Sequence, residues 1–228
     1  MPMQVAVLVL AAGSSQRFGG RPKQFEDLGG TTVLQRAIRA FVGVDGIDDV
    51  WVVTSQEHQA HTTDLLVDES IAGVICGGAS RAESTRLGLA ALAPEVTHVL
   101  IHDAARPLVP PEVVAGCVRA LGDADVVATV VEPADSVVIV DGDHVVSTPD
   151  RSSVRMHQTP QAFRCSVLTA AWERLAAEQM EAPTDDVTAV LRAFPDQPVA
   201  WVAGHRRSAK ITEPEDLVVL RAWLEDDE

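Results

Sequence analysis

No apolar run in this chain approaches the ~20 residues a membrane-spanning helix requires, although 46% of its 228 residues are hydrophobic. The opening MPMQVAV has neither a basic segment nor a cleavage site, so a soluble, untargeted, cytoplasmic protein is expected. The three cysteines, Cys76, Cys117 and Cys165, have no C-x-x-C spacing. An odd, scattered set indicates neither a disulfide framework nor a zinc cluster, and it suits a reducing compartment. Positive charge is scarce: 18 basic residues stand against 33 acidic ones, a net charge of −15. A field of that sign repels nucleic acid and anionic lipid, so neither is an expected partner.

The few cations are grouped: Arg17, Arg21 and Lys23; Arg81 and Arg86; Arg151 and Arg155; Arg206, Arg207 and Lys210. An acidic shell with basic loops would hold a small polyanion where those loops meet. The first group follows six aliphatic residues, Val5 to Leu10, which read as a strand buried on both faces. Next comes Ala11-Ala12-Gly13-Ser14-Ser15-Gln16-Arg17-Phe18-Gly19-Gly20. Small residues let this backbone approach a ligand and aim several N–H groups at one anion, with Arg17 and Lys23 in reach. The same residues would also serve a plain strand-to-helix turn. The loop is not a dinucleotide fingerprint, since G-x-G-x-x-G fails at Ser15, nor a P-loop, since Gly-Lys-Ser/Thr is absent.

Apolar runs recur at 50–54, 74–76, 98–102, 126–131 and 199–202. Helical patterns occupy 32–42, 57–66, 81–92, 111–121, 166–178, 185–193 and 213–224. This alternation predicts an α/β fold, a mostly parallel sheet with helices on both faces, in one domain spanning residues 1–228. Ser80-x-x-Glu83 and Thr212-x-x-Glu215 read as capping boxes, and Thr184 and Thr212 as N-caps. Ligands in such sheets sit at the carboxyl ends of strands. Two loops there carry chemistry. Gly77 to Ser84 offers an open backbone for a flat base and a helix start with Arg81 near phosphate. His102-Asp103-Ala104-Ala105-Arg106 ends a buried strand, where Asp103 suits Mg²⁺ shared with phosphates and Arg106 a second phosphate. His58 and His61 read as a solvated helical face rather than a metal site. Residues 137–147 break the alternation and predict a β-hairpin turning at Asp141-Gly142, projecting from the sheet and packing on a second subunit.

The first loop resembles the nucleotidyltransferase signature L-x-A-G-x-S/G-x-R-(F/M)-G-x-x-x-P-K, with Leu10, Ala12, Gly13, Arg17, Pro22 and Lys23 in place. AAGSSQRFGGRPKQF, GGASRAES, HDAARP, DRSSVRMHQTPQAF, TDD and AKITEPEDL together resemble the successive motifs of the 2-C-methyl-D-erythritol 4-phosphate cytidylyltransferase family, from residue 11 to 217. That resemblance implies a Rossmann-like three-layer sandwich, a homodimer joined through a hairpin arm at about 133–156, and CMP transfer from CTP with Mg²⁺. It also implies roles. Arg17, Lys23 and Lys210 would be catalytic. Ala11, Ala12, Gly13, Gly78, Ser84 and Asp103 would bind nucleotide, Asp103 also holding the metal. Arg106, Ser136, Arg151, Thr159 and Thr184 would meet a sugar-alcohol phosphate. Ala79, Ser136, Val138 and Ser208-Ala209-Lys210 depart from the family pattern, mostly on the acceptor side. The alternatives are a ribitol 5-phosphate cytidylyltransferase, against which HDAARP in place of HDSVRP weighs, and a nucleotide-binding regulator without turnover.

Overall fold

The structure is a computed structural model and describes residues 3–226. Among these, the strands are β1 (Val5–Leu10), β2 (Asp49–Thr54), β3 (Gly73–Cys76), β4 (His98–Asp103), β5 (Val126–Val131), β6 (Ile139–Asp141), β7 (His144–Ser147), β8 (Met156–Arg164) and β9 (Ala200–Ala203). The helices are α1 (Val33–Arg39), α2 (Gln59–Leu65), α3 (Arg81–Ala91), α4 (Pro111–Ala120), α5 (Cys165–Ala177), α6 (Asp186–Ala193) and α7 (Pro214–Glu225). Seven strands make one sheet in the order β3-β2-β1-β4-β8-β5-β9, and β6 and β7 form a separate two-stranded ribbon. Every pairing in the large sheet is parallel except those of β8, which runs antiparallel to β4 and β5.

Strand alternation divides the core into two layers. Val5, Val7 and Val9 pack with Leu34, Ile38, Val114 and Cys117, from α1 and α4. Leu8, Val99, Ile101 and Phe163 face the other way, onto Leu168 and Trp172 of α5 and Val187 and Val190 of α6. Each such side chain removed from water contributes about 1.5–3 kcal/mol, which holds a helix layer on each face. A third cluster joins Phe18, Leu28 and Val33 to Ile211, Leu217 and Leu220. It clips the glycine-rich loop to the carboxyl-terminal segment and α7.

Three local expectations need correction. β8 was not foreseen as a strand, because Pro160 cannot donate to a ladder and Gln158 and Gln161 interrupt the apolar pattern. The register shows how Pro160 is accommodated: Val127 faces Ala162 and Thr129 faces Gln158, so three residues of β8 bulge opposite one of β5. The caps also shift. α7 is boxed by Glu213 and Asp216 rather than Thr212 and Glu215, since Pro214 takes the first helical position. α6 is capped by the Asp185 side chain, which accepts from the Thr188 amide at 3.0 Å, and not by Thr184. At α3 only half of the expected box forms: Ser80 Oγ accepts from the Glu83 amide, while the Glu83 carboxylate turns back to the Ala79 amide. The hairpin is present, but Asp141 pairs with His144, so the two-residue turn is Gly142-Asp143, with Gly142 at φ 55°.

Candidate active site

β1 and β4 are neighbours, and Leu10 pairs with Asp103, so the loops after both strands open at one end of the sheet. Between them lies a cleft of about 460 Å³, lined by the loop from Ala11 to Arg17, by Lys23, by Ala79 to Arg81 with Ser84, by Asp103 to Ala105, and by Lys210 and Thr212. Ser15 sits at φ 53°, in the left-handed region, and starts the single helical turn Gln16–Phe18 that carries Arg17 to the rim. The Lys23 amide donates to Ser15 Oγ at 3.3 Å, and Lys23 Nζ donates to the Ile211 carbonyl at 2.6 Å. Burial pulls the Lys23 ammonium below its usual value, and the nearby charges of Lys210 and Arg17 add to that. Cations held together in this way favour any anion that arrives among them.

The floor is organised around Asp103. Lys210 Nζ donates to its Oδ2 at 2.8 Å, Arg81 Nε to its Oδ1 at 3.4 Å, and Arg106 Nε stands 3.9 Å from Oδ2. Burial alone would push this carboxyl up, but Arg81, Lys210 and Arg106 outweigh it and hold Asp103 well below the usual carboxylate range. Asp103 is therefore ionised at any working pH. Behind it, the Asp103 amide donates to Thr159 Oγ1 at 3.1 Å, which leaves the Thr159 proton for His102 Nδ1 at 3.1 Å. His102 Nε2 lies 3.1 Å from the Arg106 carbonyl, which can only accept, so Nε2 carries the ring hydrogen. Complete burial lowers His102 to about 4, and the ring is neutral. This chain of bonds gives the strand end a single orientation.

A model of the family described as 2-C-methyl-D-erythritol 4-phosphate cytidylyltransferase matches residues 5–226. The chain belongs to that family. The cytidylyltransferase of that name from Thermobifida fusca is 37% identical over 97% of this chain and 93% of its own. The one from Rhodococcus jostii is 40% identical, over 97% and 96%. Among solved structures, the 4-diphosphocytidyl-2C-methyl-D-erythritol synthase from Anaerococcus prevotii superposes with a TM-score of 0.89 at 30% identity, covering 98% of this chain and 96% of that one.

Of the positions expected from the cytidylyltransferase motifs, Ala11, Ala12, Gly13, Arg17, Lys23, Ser84, Asp103 and Lys210 line the cleft together. Gly78 lies at its side, where its amide donates to Ser84 Oγ at 3.2 Å. Arg106 stands behind Asp103 and donates to the Ser208 carbonyl at 2.6 Å. Thr159 is buried and its hydroxyl is occupied by His102 and the Asp103 amide, while Thr184 is exposed beside the start of α6. Ser136 and Arg151 are exposed and lie apart from the cleft lining; Arg151 donates to the Pro133 carbonyl at 2.8 Å. Sequence reasoning missed Gln24 in the lining, and the buried Asp186 that grips Arg81. The one available signal for Asp186 was a second aspartate beside a residue already suited to capping. His58 and His61 both meet the Phe25 ring edge-on, at 5.3 and 4.6 Å between centroids, which gives them a packing role. Among the described residues no helix is long and apolar enough to cross a membrane.

Proposed function

We propose that this chain transfers the cytidylyl group of CTP to the phosphate of 2-C-methyl-D-erythritol 4-phosphate, giving 4-diphosphocytidyl-2-C-methyl-D-erythritol and diphosphate. One observation carries the reading: Arg17, Lys23, Arg81 and Lys210 line a single cleft with a glycine-rich loop, in a chain dominated by acidic residues. An oxygen of the acceptor phosphate attacks the α-phosphorus of CTP. A new P–O bond forms there, the bond to the oxygen bridging the β-phosphorus breaks, and diphosphate leaves with that electron pair. A phosphate monoester is already ionised at pH 7, so no general base is needed. Two polyanions must be held together and charge stabilised as it builds on the α-phosphoryl oxygens and the departing diphosphate, which is work for fixed cations. In this reading Lys23 and Arg17 serve the triphosphate and Lys210 the acceptor phosphate.

The donor set also suits a divalent cation. Asp103 presents one ionised carboxylate to the cleft, and Mg²⁺ is typically held by one or two carboxylates with the remaining ligands supplied by phosphate and water. When bound there, Mg²⁺ would draw charge from the phosphate oxygens. The hairpin β6–β7 leaves Ile139, Val140, Val145 and Val146 more than half exposed, at 52%, 60%, 63% and 57%. An isolated two-stranded ribbon does not cover its own apolar surface, which supports a homodimer in which the arm meets a second copy near Ser136 and Arg151. The test is diphosphate release from CTP with methylerythritol phosphate and ribitol 5-phosphate assayed in parallel. Turnover with the first acceptor alone is the expected result; turnover with ribitol phosphate alone, or with neither, overturns the assignment.

A further inference from the structure

Asp186 is the first residue of α6, its side chain is 0% exposed, and it does not line the cleft. Its Oδ2 accepts from Arg81 Nη1 at 2.6 Å, and its Oδ1 from Trp172 Nε1 at 3.1 Å. The amides of Asp186 and Val187 both donate to Gln161 Oε1, at 3.1 and 3.2 Å, which pins the start of α6 to β8. Each carboxylate oxygen and the backbone behind it are therefore fixed. Arg81, the residue so gripped, lines the cleft and reaches Asp103 with Nε at 3.4 Å, while its third nitrogen, Nη2, is buried with no partner among the described residues.

A guanidinium is a planar fork, so bonding Nη1 to one carboxylate and Nε to another determines the direction of Nη2. The two carboxylates therefore fix the plane and direction of the whole Arg81 side chain. Stability alone is a weak reason for an ion pair of this kind, because a well-packed apolar replacement of both partners is often as stable. Charge balance points the same way. Asp103 already faces Lys210 and Arg106, and a second buried carboxylate lets Arg81 join that cluster before any phosphate is present.

We infer that Asp186 is a positioning residue for nucleotide binding and transfer, fixing the guanidinium of Arg81, and with it the Asp103 carboxylate that Arg81 Nε contacts, in the wall that meets the CTP triphosphate. This rests on the cytidylyltransferase reading above. The role belongs to the nucleotide side, because Arg81 follows Ala79 and Ser80 in the cleft wall.

The experiment is a double-mutant cycle of Asp186→Asn and Arg81→Gln, read by steady-state kinetics, by calorimetric titration with CTP and by thermal melting. Asp186→Asn should lower kcat/KM for CTP by about 10- to 100-fold, the range for groups that orient a contacting residue, and should weaken CTP in the titration while the acceptor KM is unchanged. The double variant should be no slower than Arg81→Gln, yet melt above Asp186→Asn, because no unpaired buried charge remains. Losses that add in full, or turnover that returns to the wild-type rate well below the melting temperature, would overturn the inference. Should Asp186→Asn be too unstable to assay, Trp172→Phe removes the other bond to the same carboxylate; a smaller loss in the same parameter is expected, and no loss is contrary. A wild-type enzyme that binds CTP without turning it over would instead remove the transfer reading, and the titration would still decide the Asp186 role.

Discussion

The floor of the cleft and the hairpin arm are joined by only a few residues of chain, yet they are opposite kinds of structure. At the floor, β8 is inserted between β4 and β5, and Thr159, His102, Gln161 and Asp186 occupy one another's donors and acceptors. The arm has a ladder of its own and little else: Val140 and Val145, which pair across it, are both largely exposed. The floor's carboxylates are paired with cations from within the chain. The arm leaves its aliphatic side chains exposed. Rigid placement of cations is what a charged transition state rewards, whereas an unpacked ribbon is what a subunit contact can complete.

The largest test of this contrast is in the core behind the floor. Phe163→Ala on β8, a fully buried site, should cost about 3–5 kcal/mol, whereas Val138→Ala on the arm should stay within about 0.5 kcal/mol. Chemical denaturation of both variants measures the difference. Next, Lys23→Ala or Arg17→Ala should lower kcat by ~10²-fold or more, the cost of losing one strong transition-state donor. Near-normal diphosphate release by either variant removes that residue from the mechanism. Thr159→Val deletes the hydroxyl between the Asp103 amide and His102 and leaves two buried groups unpaired, at about 1–3 kcal/mol. Given ~2–4 °C per kcal/mol for a chain of this size, its melting temperature should fall by several degrees; an unchanged melt would show the bridge to be unimportant. Val140→Lys with Val145→Lys should convert a sedimenting dimer to a monomer with the far-ultraviolet dichroism intact. A wild-type monomer at micromolar concentration defeats that expectation before any substitution is made.

The smallest effect concerns pH. His157 Nδ1 stands 3.3 Å from Asp185 Oδ1, and this hydrogen bond raises the His157 value above its usual one, against the opposing pull of burial. The protonated ring is thus better bound in the folded protein than in the unfolded chain. Its contribution is present in full below the unfolded value of about 6.5 and is lost as pH rises through the raised folded value. The gap in melting temperature between wild type and His157→Gln should accordingly be widest in mild acid and close in alkali. A gap that widens with rising pH reverses the sign and rules out the pairing.

Much of the sheet was legible because a parallel strand is buried on both faces and has to be written in aliphatic residues, as Val5–Leu10 and Val126–Val131 are. β8 was not, because Thr159, Pro160 and Gln161 obey a different demand: they bulge away from β5 and brace the ends of β4 and α6. Site residues divide in the same way. Gly13, Arg17 and Lys23 are legible because a phosphate cradle is local, built within one loop. The bracing bonds of Thr159 and Asp186 are not, since their partners lie 57 and 105 residues away and the neighbouring Asp185 already explains a helix start.

By itself, then, the order of residues determines the strand-loop-cation cradle, the scarcity and grouping of positive charge, and the exposed aliphatic ribbon, all of which depend on neighbours in the chain. Only the folded arrangement decides that Lys210, Arg81 and Arg106 share the carboxylate of Asp103, and that a buried Asp186 steadies one of them. Convergence of that kind depends on which strands lie side by side. Coulombic and hydrogen-bonding forces act over a few ångströms of space, whatever length of chain separates the groups.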